Sequence, residues 1–138
     1  MKWLLAMISV IGFGGCIASH QSVVRDINVD NWSETTSIMV SNYDTVTVRD
    51  LDIFVRYQPT QSPRRFDIRV ESIAPDSTSY TDEVTISLDT STNNRDASRL
   101  TIQPYRTRVV WRQKGEYKIN ITPTTPTKGV EAIGLNTK

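Results

Sequence analysis

From residue 36 onward, apolar side chains alternate with polar ones instead of recurring at helical spacing. Leu51, Ile53, Val55 and Tyr57 fall on one side of an extended chain, with Asp52 and Arg56 on the other. Phe66, Ile68 and Val70 alternate with Asp67, Arg69 and Glu71. Val84, Ile86 and Leu88 alternate with Thr85, Ser87 and Asp89, and Tyr117, Ile119 and Ile121 with Lys118, Asn120 and Thr122. A period of two in four separate runs predicts strands with one buried face. The abundance of Thr, Val, Ile and Tyr agrees, since these side chains pack well on a pleated surface. Further strands are predicted at Ser37–Asn42, Arg99–Pro104, Thr107–Arg112 and Val130–Thr137. Breakers separate the runs: Pro59 to Pro63, Ala74-Pro75-Asp76-Ser77, Thr90 to Ala97, Lys114-Gly115, and the longer connection Pro123 to Lys128. Gly115 is free to take the positive φ of a tight turn. About eight short strands with no amphipathic helix predict an all-β fold, an antiparallel β-sandwich over residues 31–138.

The exceptions to alternation single out further residues. Phe54 lies on the charged side of its strand, between Asp52 and Arg56, where it is free to meet the rim of the second sheet, a loop or a partner. Val109-Val110-Trp111 is a continuous apolar run, which suits a strand covered on both faces. Pro104 and Pro123 each remove a ladder donor and so belong at strand ends or on an edge.

The first fifteen residues differ in kind. Lys2 supplies a positive charge, Trp3 to Phe13 is almost wholly apolar, and Gly14-Gly15-Cys16 follows. This is the layout of a secretory signal, and the apolar run is shorter than the roughly 20 residues that span a bilayer. Phe13-Gly14-Gly15-Cys16 resembles the bacterial lipobox, with Phe13 in place of the usual Leu. On that pattern residues 1–15 are a lipoprotein signal peptide and Cys16 becomes a diacylglyceryl-modified N-terminus. Acyl chains contribute about 0.8 kcal/mol per buried methylene, so two or three of them anchor a protein durably. Ile17, rather than Asp, follows the Cys. By similarity to gram-negative lipoproteins this implies the outer membrane, and the lack of an acidic cluster after Cys16 points to its periplasmic face. Residues 16–30 read as the lipidated Cys and a tether; from Cys16 to Asn28 thirteen residues reach at most about 40 Å. His20 lies inside that tether.

Composition narrows the chemistry. The 138 residues carry 16 Lys and Arg against 15 acids, and loss of Lys2 on processing brings the balance to zero. Nucleic-acid binding, which leans on a basic surplus, is not expected. The one Cys and the one His both lie in the first twenty residues. The domain therefore lacks the parts for Ser-His-Asp or Cys-His catalysis and for a transition-metal site. Carboxylate pairs remain, Asp50 with Asp52 and Asp82 with Glu83, but acids alternating with Arg along strands are ordinary for a solvated sheet face. Calcium could be considered at the oxygen-rich loops Asp76–Tyr80 and Thr90–Asp96, yet neither carries a graded Asp-x-Asp pattern with a pivot Gly. No enzyme activity, cofactor or metal is expected. Tyr105-Arg106-Thr107-Arg108 with Trp111-Arg112 mixes cations and aromatics, the residue types that dominate interfaces. Trp32, Phe54, Arg106, Arg108, Trp111 and Arg112 are the candidate partner contacts, and an acidic protein partner or a carbohydrate would suit them. Unpaired strand edges also invite a second chain, so a homo-oligomer is open. Asp44-Thr45-Val46 and Asp76-Ser77-Thr78 resemble a three-residue O-glycosylation pattern of gram-negative bacteria, with Thr45 the candidate acceptor.

Several segments resemble, in order, the H-type gliding-motility lipoproteins. These are the lipobox, Trp32 after the tether, Asp44-Thr45 ahead of the strand Leu51–Tyr57, and the strand Tyr80–Leu88. The block from Gly115-Glu116-Tyr117 to Lys128-Gly129-Val130-Glu131-Ala132-Ile133-Gly134-Leu135 closes the pattern. The similarity covers most of the mature chain. Thr90 to Ala97 lacks the Gly- and Trp-containing stretch usual in that family. The resemblance implies a small β-sandwich lipoprotein of the gram-negative envelope, an accessory or docking component of motility or secretion machinery. It brings no catalytic residue, and only the lipidated Cys16 carries over. The alternative that the residues allow is a periplasmic or surface module binding a glycan or other small ligand.

Overall fold

The alternating runs pair into antiparallel ladders. A computed structural model describes residues 21–91 and 97–138; Cys16 and His20 lie outside them. Eight strands form: β1 Gln21–Asp26, β2 Thr36–Asn42, β3 Val48–Tyr57, β4 Arg65–Ile73, β5 Ser79–Ser87, β6 Arg99–Val110, β7 Gly115–Pro123 and β8 Val130–Thr137. One sheet has the order β1-β8-β3-β6 and the other β2-β7-β4-β5. Only β4 and β5 are joined within a sheet; every other connection carries the chain across to the opposite layer. The chain is thus an all-β antiparallel sandwich.

The inward-facing residues are those that the alternation picks out. Ile38 and Val40 come from β2, Leu51, Ile53, Val55 and Tyr57 from β3, and Phe66, Ile68 and Val70 from β4. Ile86, Tyr117, Ile119, Ile121, Ile133 and Leu135 complete the layer, and all are buried. Each fully buried aliphatic side chain contributes about 1.5–3 kcal/mol relative to exposure. Gly115 has φ +127°, as its turn requires. Pro123 ends β7, and Pro104 lies in β6, an edge strand, beside a register shift.

Several expectations are corrected. The segment read as tether supplies β1, whose six residues pair with β8 from Gln21↔Thr137 to Asp26↔Ala132. Its sequence, Gln-Ser-Val-Val-Arg-Asp, hides the alternation because β1 is an edge strand with few residues turned inward. Arg99–Pro104 and Thr107–Arg112 are one strand, not two. From Arg49 to Leu51 the partner strand moves from Val109 to Arg106, and from Leu51 to Asp52 it moves from Arg106 to Pro104. β6 therefore carries an extra residue at each place, and these bulges fall where the sequence suggested a break. Arg108 takes φ +55° there, and its N–H donates to Asp50 Oδ1 at 2.9 Å. Nor is Val109-Val110-Trp111 covered on both faces, since β6 is an edge and Val110 stays exposed.

All strands run between two ends. β1, β3, β5 and β7 start at the end that holds loops 43–47, 74–78 and 111–114, and β2, β4, β6 and β8 finish there. We call this the entry end. The far end holds loops 27–35, 58–64 and 124–129 and the β5–β6 connection.

Candidate functional site

Along β5 the residues that face inward are Tyr80, Asp82, Val84 and Ile86. Ile86 is in the core, whereas Tyr80 and Asp82 lie nearer the entry end, beyond the packed aliphatics. There β5 and β6, both edge strands of their sheets, face one another across the side of the sandwich. The bulge in β6 sends Tyr105 and its neighbour Arg106 to the same side, where strict alternation would have separated them. Both reach Asp82: the Tyr105 hydroxyl donates to Oδ2 at 2.8 Å, and the Arg106 guanidinium donates to the same oxygen and forms an ion pair with it. The Arg106 guanidinium carbon lies 4.6 Å from the ring centre of Tyr80 and 5.5 Å from that of Tyr105. Tyr80 is 57% exposed.

The electrostatics follow from this contact. Partial burial opposes ionisation of Asp82, but the Tyr105 hydroxyl and Arg106 guanidinium outweigh it and hold its carboxyl below the ordinary value. Burial pushes the Tyr105 phenol up. Arg106 is held firmly protonated, first by its hydrogen bond to Tyr105. An inward charge on an edge strand also guards that edge against unwanted pairing.

Behind this cluster is a cleft of about 280 Å³, lined among others by Leu51, Tyr80, Tyr105, Val109, Trp111 and Tyr117. Trp111 and Tyr117 stack with ring centres 4.7 Å apart and planes 14° from parallel. Arg49 covers the indole from inside, 5.1 Å from its centroid, and donates through Nη1 to Asn42 Oδ1. Arg49 is 4% exposed and its Nε is the buried side-chain donor left without a partner among the described residues.

The six predicted contact residues scatter. Arg106 and Trp111 both line the cleft, though Trp111 is buried. Arg108 and Arg112 are exposed at the entry end and make no ion pair among the described residues. Trp32 is no surface contact: it is 3% exposed near the far end and meets Phe66 edge-on at 6.2 Å. Its indole N–H donates to the Glu34 carbonyl at 2.9 Å. Phe54 does lie on the outer face, but it is 8% exposed. Its ring lies over Gly134, its ladder partner, and Ile102 is its partner on the other side. Sequence reasoning missed Tyr80 and Tyr105 as contacts in their own right. The two-residue spacing of Tyr80 and Asp82 puts an aromatic and an acid on one face of a strand, and that is the signal the chain offers.

The remaining chemistry is local. Asp50 accepts the Arg108 N–H, and Asp52, buried, meets Lys138 Nζ at 2.9 Å. Glu83 lies 3.7 Å from Arg69. Asp76 Oδ1 accepts from the N–H and hydroxyl of Thr78. Thr45 is exposed on a loop shaped by Asp44, whose Oδ1 accepts the N–H groups of Val46 and Thr47 at 3.0 and 2.7 Å. These bonds, led by the Thr47 hydroxyl, lower the Asp44 carboxyl to about 2. No group of three or more His, Cys, Asp or Glu converges among the described residues. No family model, no curated protein and no solved structure matches the chain.

Proposed function

We propose that this chain is a non-enzymatic lipoprotein, anchored through Cys16 in the outer membrane and facing the periplasm. In this reading it docks onto envelope motility or secretion machinery through the β5–β6 side of its sandwich. The anchor rests on the lipobox, and the machinery on the resemblance to the gliding-motility lipoproteins.

The observation that carries the docking surface is Tyr80, more than half exposed, held beneath the Arg106 guanidinium on two neighbouring strand edges. Aromatic and Arg side chains supply most hot-spot energy in protein interfaces. β5 is also a long and regular edge, with Asp82 as its inward charge. It pairs with β4 through nine consecutive residues without a register shift and contains neither Pro nor Lys. Its outer backbone groups are open to a strand from another chain. Crosslinking and affinity purification from intact envelopes, with Cys16→Ala as the unanchored control, should recover a defined set of envelope proteins with the anchored form. Tyr80→Ala combined with Arg106→Ala should lose them while circular dichroism stays native. Recovery of every partner by that folded double variant would remove this surface from consideration.

The aromatic cleft favours a second reading, a glycan- or small-ligand-binding module. Its volume is near the lower bound for ligand pockets, roughly 300 Å³, which suits one sugar ring or one side chain. Calorimetric titration of the purified protein against a glycan panel should then give heat that Tyr80→Ala abolishes. A flat response across the panel leaves docking as the role.

A further inference from the structure

β1 begins at Gln21, five residues after Cys16. Five residues extend to about 17 Å at most, far less than the 40 Å of a tether running to Asn28. A lipid on Cys16 therefore holds the entry end close to the bilayer. The far end is a strand length beyond, about 30 Å for the ten residues of β3.

The two ends differ in what they expose. The entry end presents Tyr43, Val46, Val48 and Val110, which are 58, 79, 55 and 40% exposed. Val48 and Val110 are direct cross-strand partners, and Tyr43 and Val46 sit on the loop that leads into Val48. Asp44 and Thr47 set the turn, and Val46 at its tip touches solvent on most of its surface. Among the described residues, the loops of the far end expose no large apolar side chain, and Leu100, the second residue of β6, is the exposed apolar residue of the strand ends there.

We propose that the entry end seats against the phospholipid surface, with Tyr43, Val46, Val48 and Val110 entering the boundary between headgroups and acyl chains. The proposal rests on lipidation of Cys16, which supplies the attachment. The patch then needs only to orient a domain that the short leash already keeps at high local concentration. Tyr43 suits the site, since a phenol places its ring in the apolar layer and its hydroxyl among the headgroups. Charge does not drive the seating. Arg108, Arg112, Lys114 and Lys138 at this end are matched by Asp44, Asp50, Asp76 and Glu116. The contact is apolar and insensitive to salt. Tyr80 is the second residue of β5, so the β5–β6 side opens beside the membrane and any partner is met there.

The test uses the full-length, lipidated protein in vesicles of phosphatidylethanolamine and phosphatidylglycerol. Lipidation converts the Cys16 thiol to a thioether, so a Cys introduced elsewhere is the sole free thiol. Val46→Cys and Thr60→Cys place an environment-sensitive fluorophore at the entry and far ends, both at exposed positions that tolerate substitution. The expected result is a shift to shorter wavelength and quenching by brominated lipid tails at position 46, unchanged by high salt. Position 60 should read as in water. A second variant, Val48→Asp with Val110→Asp, should return the position 46 probe to water while the protein still floats with vesicles. Floating protein with palmitate on Cys16 and both probes in water would overturn the seating and leave the anchor standing. Protein that carries no acyl group and fails to float would overturn both. Loss of the position 46 signal in salt would refute an apolar contact.

Discussion

Replacing Gly134 by alanine tests how a phenylalanine can be buried on the outer face of a two-layer sandwich. A Cβ there would stand 2.2 and 2.3 Å from Cζ and Cε1 of Phe54, and 2.6 Å from the carbonyl oxygen of Val23. The ring is rigid, and the carbonyl belongs to β1, which is laddered to β8. Something must move. Forcing a methyl group into a filled space costs about 1–3 kcal/mol. Alanine recovers roughly 0.5–1 kcal/mol of the backbone entropy that glycine loses on folding. The net expectation is a destabilisation of about 1–2 kcal/mol. Phe54→Ala alone should cost about 3 kcal/mol, the low end for a buried phenylalanine, because the site is at a face rather than in the interior. In the Phe54→Ala background the Gly134→Ala change meets only the Val23 carbonyl, and its cost should fall by about 1 kcal/mol. Urea unfolding followed by fluorescence would give the four midpoints, with unchanged slopes showing that stability alone has moved. A Gly134→Ala effect below about 0.5 kcal/mol, or strict additivity with Phe54→Ala, would refute the packing of the Phe54 ring on Gly134.

Other expectations can be checked with the same protein. Carboxyl-carbon NMR should give Asp44 a midpoint of about 2, and a value at or above the ordinary 3.8 would mean that the Thr47 and Val46 hydrogen bonds are absent in solution. Asp82 has a depressed folded-state pKa, so its stabilising effect is present above the unfolded carboxyl value and is lost as pH falls through the folded one. Asp82→Asn should therefore make unfolding free energy fall less steeply in acid than in the wild type; parallel acid limbs would contradict this. Arg49→Ala should cost about 2–3 kcal/mol, because it strips the cover from Trp111 and leaves the Asn42 side-chain oxygen without its donor. Seating the entry end on lipid leaves no room for a sugar on Thr45. The intact mass of the mature protein should show acyl chains and no glycan, and a glycan at Thr45 would place that loop in water.

Alternation is enough to find the strands that contribute a full inward row, because in those the core demands an apolar residue at every second place. It fails where that demand lapses. β1 turns few residues inward, so nothing in Gln21–Asp26 marks it as a strand. β6 reads as two strands because two bulges break its parity near Tyr105 and Arg108. The same bulges explain why the site is only half legible. The Arg-rich segment is visible, but its convergence with Tyr80 and Asp82 depends on the opposite edge strand and on a re-aimed side chain. Parity places Phe54 on the outer face, where it lies. What covers it depends on its partner in the ladder, and Gly134 gives no hint of that in the sequence. Trp32 and Trp111 illustrate a further limit: an aromatic just outside a strand can fold inward to close the end of a core, and spacing alone does not distinguish this from an exposed contact.

The position of β1 has a mechanical consequence. With a lipid on Cys16 and a partner at the opposite side of the sandwich, as proposed, any pull between them would pass through the ladders from Gln21 onward. β1 runs away from the entry end, so tension applied through such an anchor would act along the strand axis. Its hydrogen bonds to β8 lie across that axis and are loaded together in shear, from Gln21 to Asp26, rather than peeled one after another. Had the chain entered the sheet from the other end, the same force would have unzipped the strand from its first bond. The edge strand nearest the leash is thus set in the direction that best resists being torn out.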